Sequence, residues 1–225
     1  MKITEKKSNE SNREYALRVI RDNIINLELK PGTMISEQDL ADELGLSRTP
    51  VHEALQELSQ TKIIEILPQR GSRISLIDMN LVEEAVFIRS TLEAAIIEIA
   101  CKSASEEDIN QLEENINLQE FYLSKDNIDK IMELDNAFHQ YIYKMTNKMQ
   151  CYTMIKLMNI HHDRVRELHL HTANTQTVIE EHKKILEHFK NHNADGVKEL
   201  IEMHLKHLYL DEKEIRKKYA EYFAK

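Results

Sequence analysis

Ser47–Leu58, SRTPVHEALQEL, decides the fold, together with the dozen residues in front of it. Val51, Ala54, Leu55 and Leu58 recur at i, i+3, i+4 and i+7, the spacing of a helix with one buried stripe. Ser47 takes the capping position, and Pro50 falls in the first turn, where a missing N–H costs no hydrogen bond. The preceding Ser36-Glu37-Gln38-Asp39-Leu40-Ala41-Asp42-Glu43-Leu44 reads as another short helix. Ser36 caps it, Asp39 follows three residues on, and Leu40, Ala41 and Leu44 are its apolar positions. Gly45 ends it by supplying the positive φ that a helix terminus often needs. Two short helices on a glycine turn form a helix-turn-helix, whose second helix carries its N-terminal residues into a DNA major groove.

Outward from this pair, Ile63–Leu67 and Ser72–Leu76 read as two short strands around Pro68-Gln69-Arg70-Gly71, a hairpin that makes a wing. Upstream, residues 13–28 predict a helix with Leu17, Ile20, Ile24 and Leu27 on one face, broken at Lys30-Pro31-Gly32. The first residues, MKITEKKSNESN, hold no apolar segment, so they are expected to be a short solvated arm rather than a secretory signal. From Asp78 onward no strand pattern appears. Helices break near Ser103–Ser105, Ser124–Asp126, Thr146–Met149, Thr172–Thr175, His192–Asp195 and Tyr209–Asp211, which leaves six or seven. Leu81, Ala85, Ile88, Leu92, Ala95 and Ile99 form the expected buried stripe of the first. The reading is a mostly α protein: a winged helix-turn-helix with a small β-hairpin wing over residues 1–77, then an all-α antiparallel bundle over 78–225.

The formal charge of −9 argues on its face against nucleic acid. Residues 1–77, however, carry 11 Lys and Arg against 12 Asp and Glu, and the remainder 19 against 27, so the acidity belongs to the C-terminal part. That composition disfavours an architectural DNA binder and leaves an operator-specific one open, since specific binding depends on a local face. No apolar run approaches the roughly 18–20 residues that span a bilayer, so no membrane partner is expected. Cys101 and Cys151 lack metal-type spacing, and two free thiols point to a cytoplasmic protein.

The run PGTMISEQDLADELGLSRTPVHEALQEL followed by RGSRIS resembles the winged helix-turn-helix of GntR-type bacterial transcription regulators. The later segments VFIRSTLEAAIIEIA, LDNAFHQYIY, EEHKKIL and a late histidine resemble, in that order, the all-helical ligand-sensing domain called FCD in the FadR subgroup. The resemblance implies a homodimeric regulator, a repressor in the first instance, binding a double-stranded DNA operator under control of a small organic acid. One departure stands out: the family usually has arginine where this chain has His52.

Arg48, Thr49 and His52 fall on the exposed face of the recognition helix, and Arg48 can offer two parallel donors to guanine O6 and N7. Ser47 and Thr49 suit phosphate oxygens or a thymine methyl. Arg70, Gly71 and Arg73 in the wing, and more weakly Gln38, are assigned to DNA backbone or minor-groove contact. In the second domain, Asp135 and His139 lie one turn apart on a face shared with Ile131, Phe138 and Ile142. His182 interrupts the stripe Val178–Ile185–Phe189, and His204 interrupts Ile201–Leu208, with His207 as its substitute should the helix be rotated. A lone inward histidine is commonly a hydrogen-bonded core residue. Three helices with the same anomaly, at positions where the resemblance implies ligands, make Asp135, His139, His182 and His204 a candidate site for a divalent transition metal. Zinc comes first, and nickel, iron or manganese are compatible with the same donors. Arg89, beside Glu93, is expected to clamp the effector carboxylate, with Arg166, His162 and His169 lining the same cavity. The alternative is a metal-dependent hydrolase-like enzyme using the Asp/His site.

Overall fold

A computed structural model of the chain describes residues 1–170, 175–206 and 212–224. These form two compact units. The first comprises Met1–Val82, Ile160–Glu167 and Arg216–Lys225; the second comprises Glu83–Asn159 and Leu168–Ile215.

In the first unit the elements run α1 (Asn12–Ile25), β1 (Met34–Ile35), α2 (Glu37–Leu44), α3 (Arg48–Gln60), β2 (Ile64–Leu67) and β3 (Gly71–Ile74), and the three strands form one sheet. The sheet is antiparallel in the order β1-β3-β2, with Glu65 opposite Arg73 and Leu67 opposite Gly71. The third strand, β1, was not legible in the sequence, because two residues are too few to show alternation. Gly71 has φ +91° and a Cβ there would stand 3.0 Å from the Ile35 carbonyl oxygen, so glycine is what lets β1 close on β3. The core joins Ile20 and Ile24 of α1, Leu40 and Leu44 of α2, and Val51, Leu55 and Leu58 of α3 to Ile63 and Ile74.

Local chemistry sets the element ends. Ser36 accepts from the Gln38 and Asp39 N–H groups, and Gly45 closes α2 at φ +65°. Ser47 occupies the N-cap of α3 in extended backbone but makes no capping hydrogen bond, so its expected capping role is not realised. Helix α1 stops at Ile25, short of residue 28, and its buried face is Ala16, Val19, Ile20 and Ile24. Leu17 is only half-buried, and Leu27 lies beyond the helix at φ +56°. The N-terminal arm is pinned as well as exposed: Asn23 bonds both the N–H and the C=O of Lys2, while Arg18 holds Glu10, Thr4 and the Glu5 carbonyl.

Helix α8 (Ile160–Leu170) supplies its first two turns to the same unit. Ile160 joins the core, and the fully buried Arg164 donates to the Ser75 carbonyl at 2.7 Å. His161 donates from Nε2 to the Thr61 carbonyl at 2.7 Å, leaving Nδ1 to accept from Arg164 at 3.4 Å. Thr61 caps the C-terminus of α3, so this pair ties α8 to both the recognition helix and the strand that ends the wing. Burial lowers His161 to about 4 and Arg164 to about 10. The tail closes the unit: Ile77 donates to the Tyr222 carbonyl and accepts from Ala224 N–H, a parallel bridge to Phe223.

The second unit is helical: α4 (Met79–Ser103, whose first four residues belong to the first unit), α5 (Glu106–Leu123), α6 (Ile128–Met145), α7 (Met149–Met158), α9 (Thr175–Lys190), α10 (Ala194–Lys206) and α11 (Glu212–Lys218), the last shared with the first unit. Counting α8, eight α-helices and one short 3-10 helix (Ala220–Tyr222) follow Asp78 among the described residues. The extra division falls at Asn159, which separates α7 from α8 and which no breaker residue announces. The expected stripe of α4 is corrected. Val82, Ala85, Val86, Arg89, Glu93, Ala94, Ile97 and Ala100 point inward, whereas Ile88, Ala95 and Ile99 are exposed and Leu81 and Leu92 are half-buried. The helix is apolar on two faces, so period alone could not choose between them. His207, like residues 172–174 of the expected break at Thr172–Thr175 and the whole expected break at Tyr209–Asp211, lies outside the described residues.

Candidate functional site

The recognition helix presents Ser47, Arg48, Thr49 and His52 to solvent, with Val51, Ala54 and Leu55 turned into the core. Arg48 and His52, at i and i+4, share one carboxylate from α2. Glu37 Oε2 accepts from Arg48 Nη2 at 3.2 Å, and Glu37 Oε1 bonds His52 Nδ1 at 2.7 Å. The His52 hydrogen bond first, and Arg48 second, hold the Glu37 carboxyl below its ordinary range against partial burial. Gln38 is exposed and bonds Asp42 one turn on. In the wing, Arg70 and Gly71 are exposed at the turn, while Arg73 pairs across the strands with Glu65.

Asp135 and His139 on α6, His182 on α9 and His204 on α10 meet in the second unit, all four buried. One ligand atom from each lies within 4.8 Å of the others. His139 Nε2 stands 3.3 Å from His204 Nε2, and His182 Nε2 is 3.6 Å from Asp135 Oδ1. The opposite nitrogen of every ring is anchored. His139 Nδ1 bonds Glu93 of α4, His182 Nδ1 bonds Gln119 Oε1 of α5 at 2.9 Å, and His204 Nδ1 bonds Glu181 Oε2 at 2.8 Å.

These outer contacts set the tautomers. The Leu134 carbonyl can only accept, so it takes the Asn115 amide N–H; Asn115 Oδ1 then accepts from Gln119 Nε2 at 2.7 Å, which aims Gln119 Oε1 at His182. Nδ1 of His182 must therefore carry the proton. Glu93 is fully buried, and burial raises its pKa, but His139 and Arg89 (Nε at 3.1 Å) outweigh this and hold it at about 2. Burial in turn lowers His139, so a neutral ring donates from Nδ1 to an ionised Glu93. With Nδ1 protonated in each ring, three Nε2 lone pairs and a carboxylate oxygen face one point. Lone pairs so arranged repel unless a cation lies between them. Donors about 2.0–2.1 Å from a tetrahedral zinc stand roughly 3.3 Å apart, close to the 3.3 Å and 3.6 Å of the two pairs just given. The donor set fits a divalent transition metal, with Glu93, Gln119 and Glu181 orienting its ligands.

Residues 13–74 match the bacterial regulatory proteins of the gntR family, and residues 84–207, more than half of the chain, match the FCD domain. The chain is a GntR-family transcription regulator with an FCD domain. It is 28% identical over 208 residues to the HTH-type transcriptional repressor RspR of Escherichia coli (strain K12), covering 92% of this chain and 91% of that one. It is 27% identical over 187 residues to the HTH-type regulator YdhC of Bacillus subtilis (strain 168), covering 82% and 83%. The fold of E. coli McbR/YncC superposes with TM-score 0.79 at 20% identity, over 93% of this chain and 99% of that chain. The hydrolase-like alternative falls with this assignment.

For the FCD domain, Arg89 and His169 are buried in the second unit, whereas His162 and Arg166 belong to the first. There Asp163 takes Arg166 Nη1 at 3.1 Å and lies 3.8 Å from His162 Nδ1. Gln119 and Glu181 were missed in the sequence. Gln119 had a signal: it continues the α5 stripe Leu112–Ile116 one turn on, at a position otherwise apolar. Glu181, next to His182, gave none. No helix among the described residues is long and apolar enough to cross a membrane.

Proposed function

We propose that this regulator is a cytoplasmic, homodimeric repressor whose operator affinity is set by a small carboxylate bound at a metal-containing pocket in the FCD domain. The observation that carries this reading is the convergence of Asp135, His139, His182 and His204, with every imidazole held through Nδ1. A buried set of this kind is costly without a cation to compensate it. When bound, the metal supplies a Lewis-acidic anchor for an anionic ligand. Arg89 is assigned the other end of that ligand. Its Nε is already committed to Glu93, which fixes the guanidinium plane. The effector shifts the equilibrium only in so far as it binds the DNA-competent and incompetent arrangements unequally.

Repression is supported by the likeness to RspR. Dimerisation is supported by α4, whose Phe87, Ile88 and Ile99 are exposed apolar side chains that a second copy could cover. A two-fold dimer would set two recognition helices on successive half-sites. Gln38, Ser47, Arg48, Thr49, His52, Arg70, Gly71 and Arg73 are its proposed contacts. Elemental analysis of wild type beside His182→Ala tests the pocket: near-stoichiometric zinc, nickel, iron or manganese is expected in the first and is lost in the second. Absence of metal in both after incubation with zinc and nickel would make the histidines structural. Calorimetry with hydroxy and dicarboxylic acids, wild type against Arg89→Lys, then tests the clamp; equal affinities would remove Arg89 from it.

A further inference from the structure

The recognition helix carries one side chain whose meaning depends on where a proton sits. His52 is about half exposed, its side chain 52% accessible, and stands one turn after Arg48 on the same face. Its Nδ1 is 2.7 Å from Glu37 Oε1, while Glu37 Oε2 takes Arg48 Nη2. Glu37 is the first residue of α2, a rigid element packed on α3, so the carboxylate is fixed with respect to the helix it serves. An ionised carboxylate only accepts. The neutral imidazole must therefore place its single N–H on Nδ1, which leaves Nε2 as a lone-pair acceptor, with no hydrogen-bond partner among the described residues.

Major-groove edges differ in what they offer such an acceptor. Adenine presents the N6 amine and cytosine the N4 amine, whereas guanine presents N7 and O6 and thymine presents O4 and a methyl group. An acceptor meets a donor on the first two and a lone pair or a methyl on the others. Arg48, which has donors only, makes the complementary choice on the same face.

We propose that Glu37 is a specificity-determining positioning residue: by locking His52 with its proton on Nδ1, it makes the recognition helix select adenine or cytosine, on the strand that His52 faces, at one column of each half-site. Glu37 touches no base; it acts through the tautomer. The inference rests on the reading of α3 as the major-groove helix and adds which base one of its side chains demands.

Selection of full-length protein on a randomised duplex library at pH 8, followed by sequencing, tests it. His52→Ala identifies the column, by flattening it. The wild-type column is expected to hold adenine or cytosine, favoured on the order of tenfold. Glu37→Ala, which frees the ring to carry its proton on either nitrogen, is expected to admit guanine and thymine there. The Arg48 column, which depends on a cation and not on a tautomer, is expected to keep its base. Thermal melting of Glu37→Ala within a few degrees of wild type shows that the variant is folded. Guanine or thymine in the wild-type column, or a column as sharp in Glu37→Ala as in wild type, overturns the proposal. Equal flattening of both columns also overturns it, since Glu37 would then merely shape the helix pair. A wild type that selects no motif at all brings down the DNA-reading assignment itself, a result distinct from a motif with one insensitive column.

Discussion

The same trio of groups occurs twice in this protein. Glu37 holds Arg48 and His52 on the recognition helix; Glu93 holds Arg89 and His139 in the FCD domain. The chemistry is alike and the surroundings are opposite. Around Glu37, water screens the charges and the Arg and His side chains remain more than half exposed. Around Glu93, all three groups are buried. The first arrangement orients His52 and Arg48 while leaving both open to solvent. The second orients its ring and keeps both partners from water. One carboxylate with two nitrogen partners thus aims a ring at the surface in one place and at the interior in the other.

Denaturation of Glu93→Gln would show whether burial sets this difference. Removing the buried carboxylate that pairs with Arg89 and His139 is expected to cost about 3–5 kcal/mol in a urea titration; a loss below about 1 kcal/mol would erase the contrast. A second case separates burial from location, because His161 is buried in the DNA-reading unit. Its folded pKa of about 4 lies below its ordinary 6.5. The unfolded chain therefore takes up the proton first, and stability intact above pH 6.5 drains as pH falls toward 4, by about 3 kcal/mol. Comparing wild type with His161→Gln at pH 7 and pH 4.5 isolates this slope, which the variant lacks. Gln119→Ala is expected to weaken metal retention by about 10–100-fold in competition with a chelator, roughly 1.4–2.7 kcal/mol. Smallest of all, Glu37→Ala should move the unfolding free energy by less than about 1 kcal/mol.

Much of this was legible along the chain, for stated reasons. The helix-turn-helix announced itself through punctuation: Ser36, Gly45 and Pro50 mark ends, and Leu40, Leu44, Val51 and Leu55 mark faces. Asp135, His139, His182 and His204 stood out because each breaks an apolar stripe, and a polar residue on such a stripe must find company. The same logic would have found Gln119, had the α5 stripe been followed as closely. It could not find Glu181, which sits beside a ligand at no diagnostic spacing. Nor could it find Arg164, since in HHDRVREL a fully buried arginine looks like part of a solvated charge run. The face of α4 was misjudged because apolar residues surround the helix, and only packing reveals which side turns inward.

The DNA-reading unit also has a history in time. Its core takes Ile160 and its clasp takes Arg164, and its last hydrogen bonds join Ile77 to Tyr222 and Ala224. A ribosome finishes the helix-turn-helix long before it makes those residues. The nascent chain thus holds a recognition helix whose supporting turn and closing tail have not yet been translated. A product cut short before Ile160 lacks every one of these contacts, so its first unit is expected to be less stable than that of the full chain.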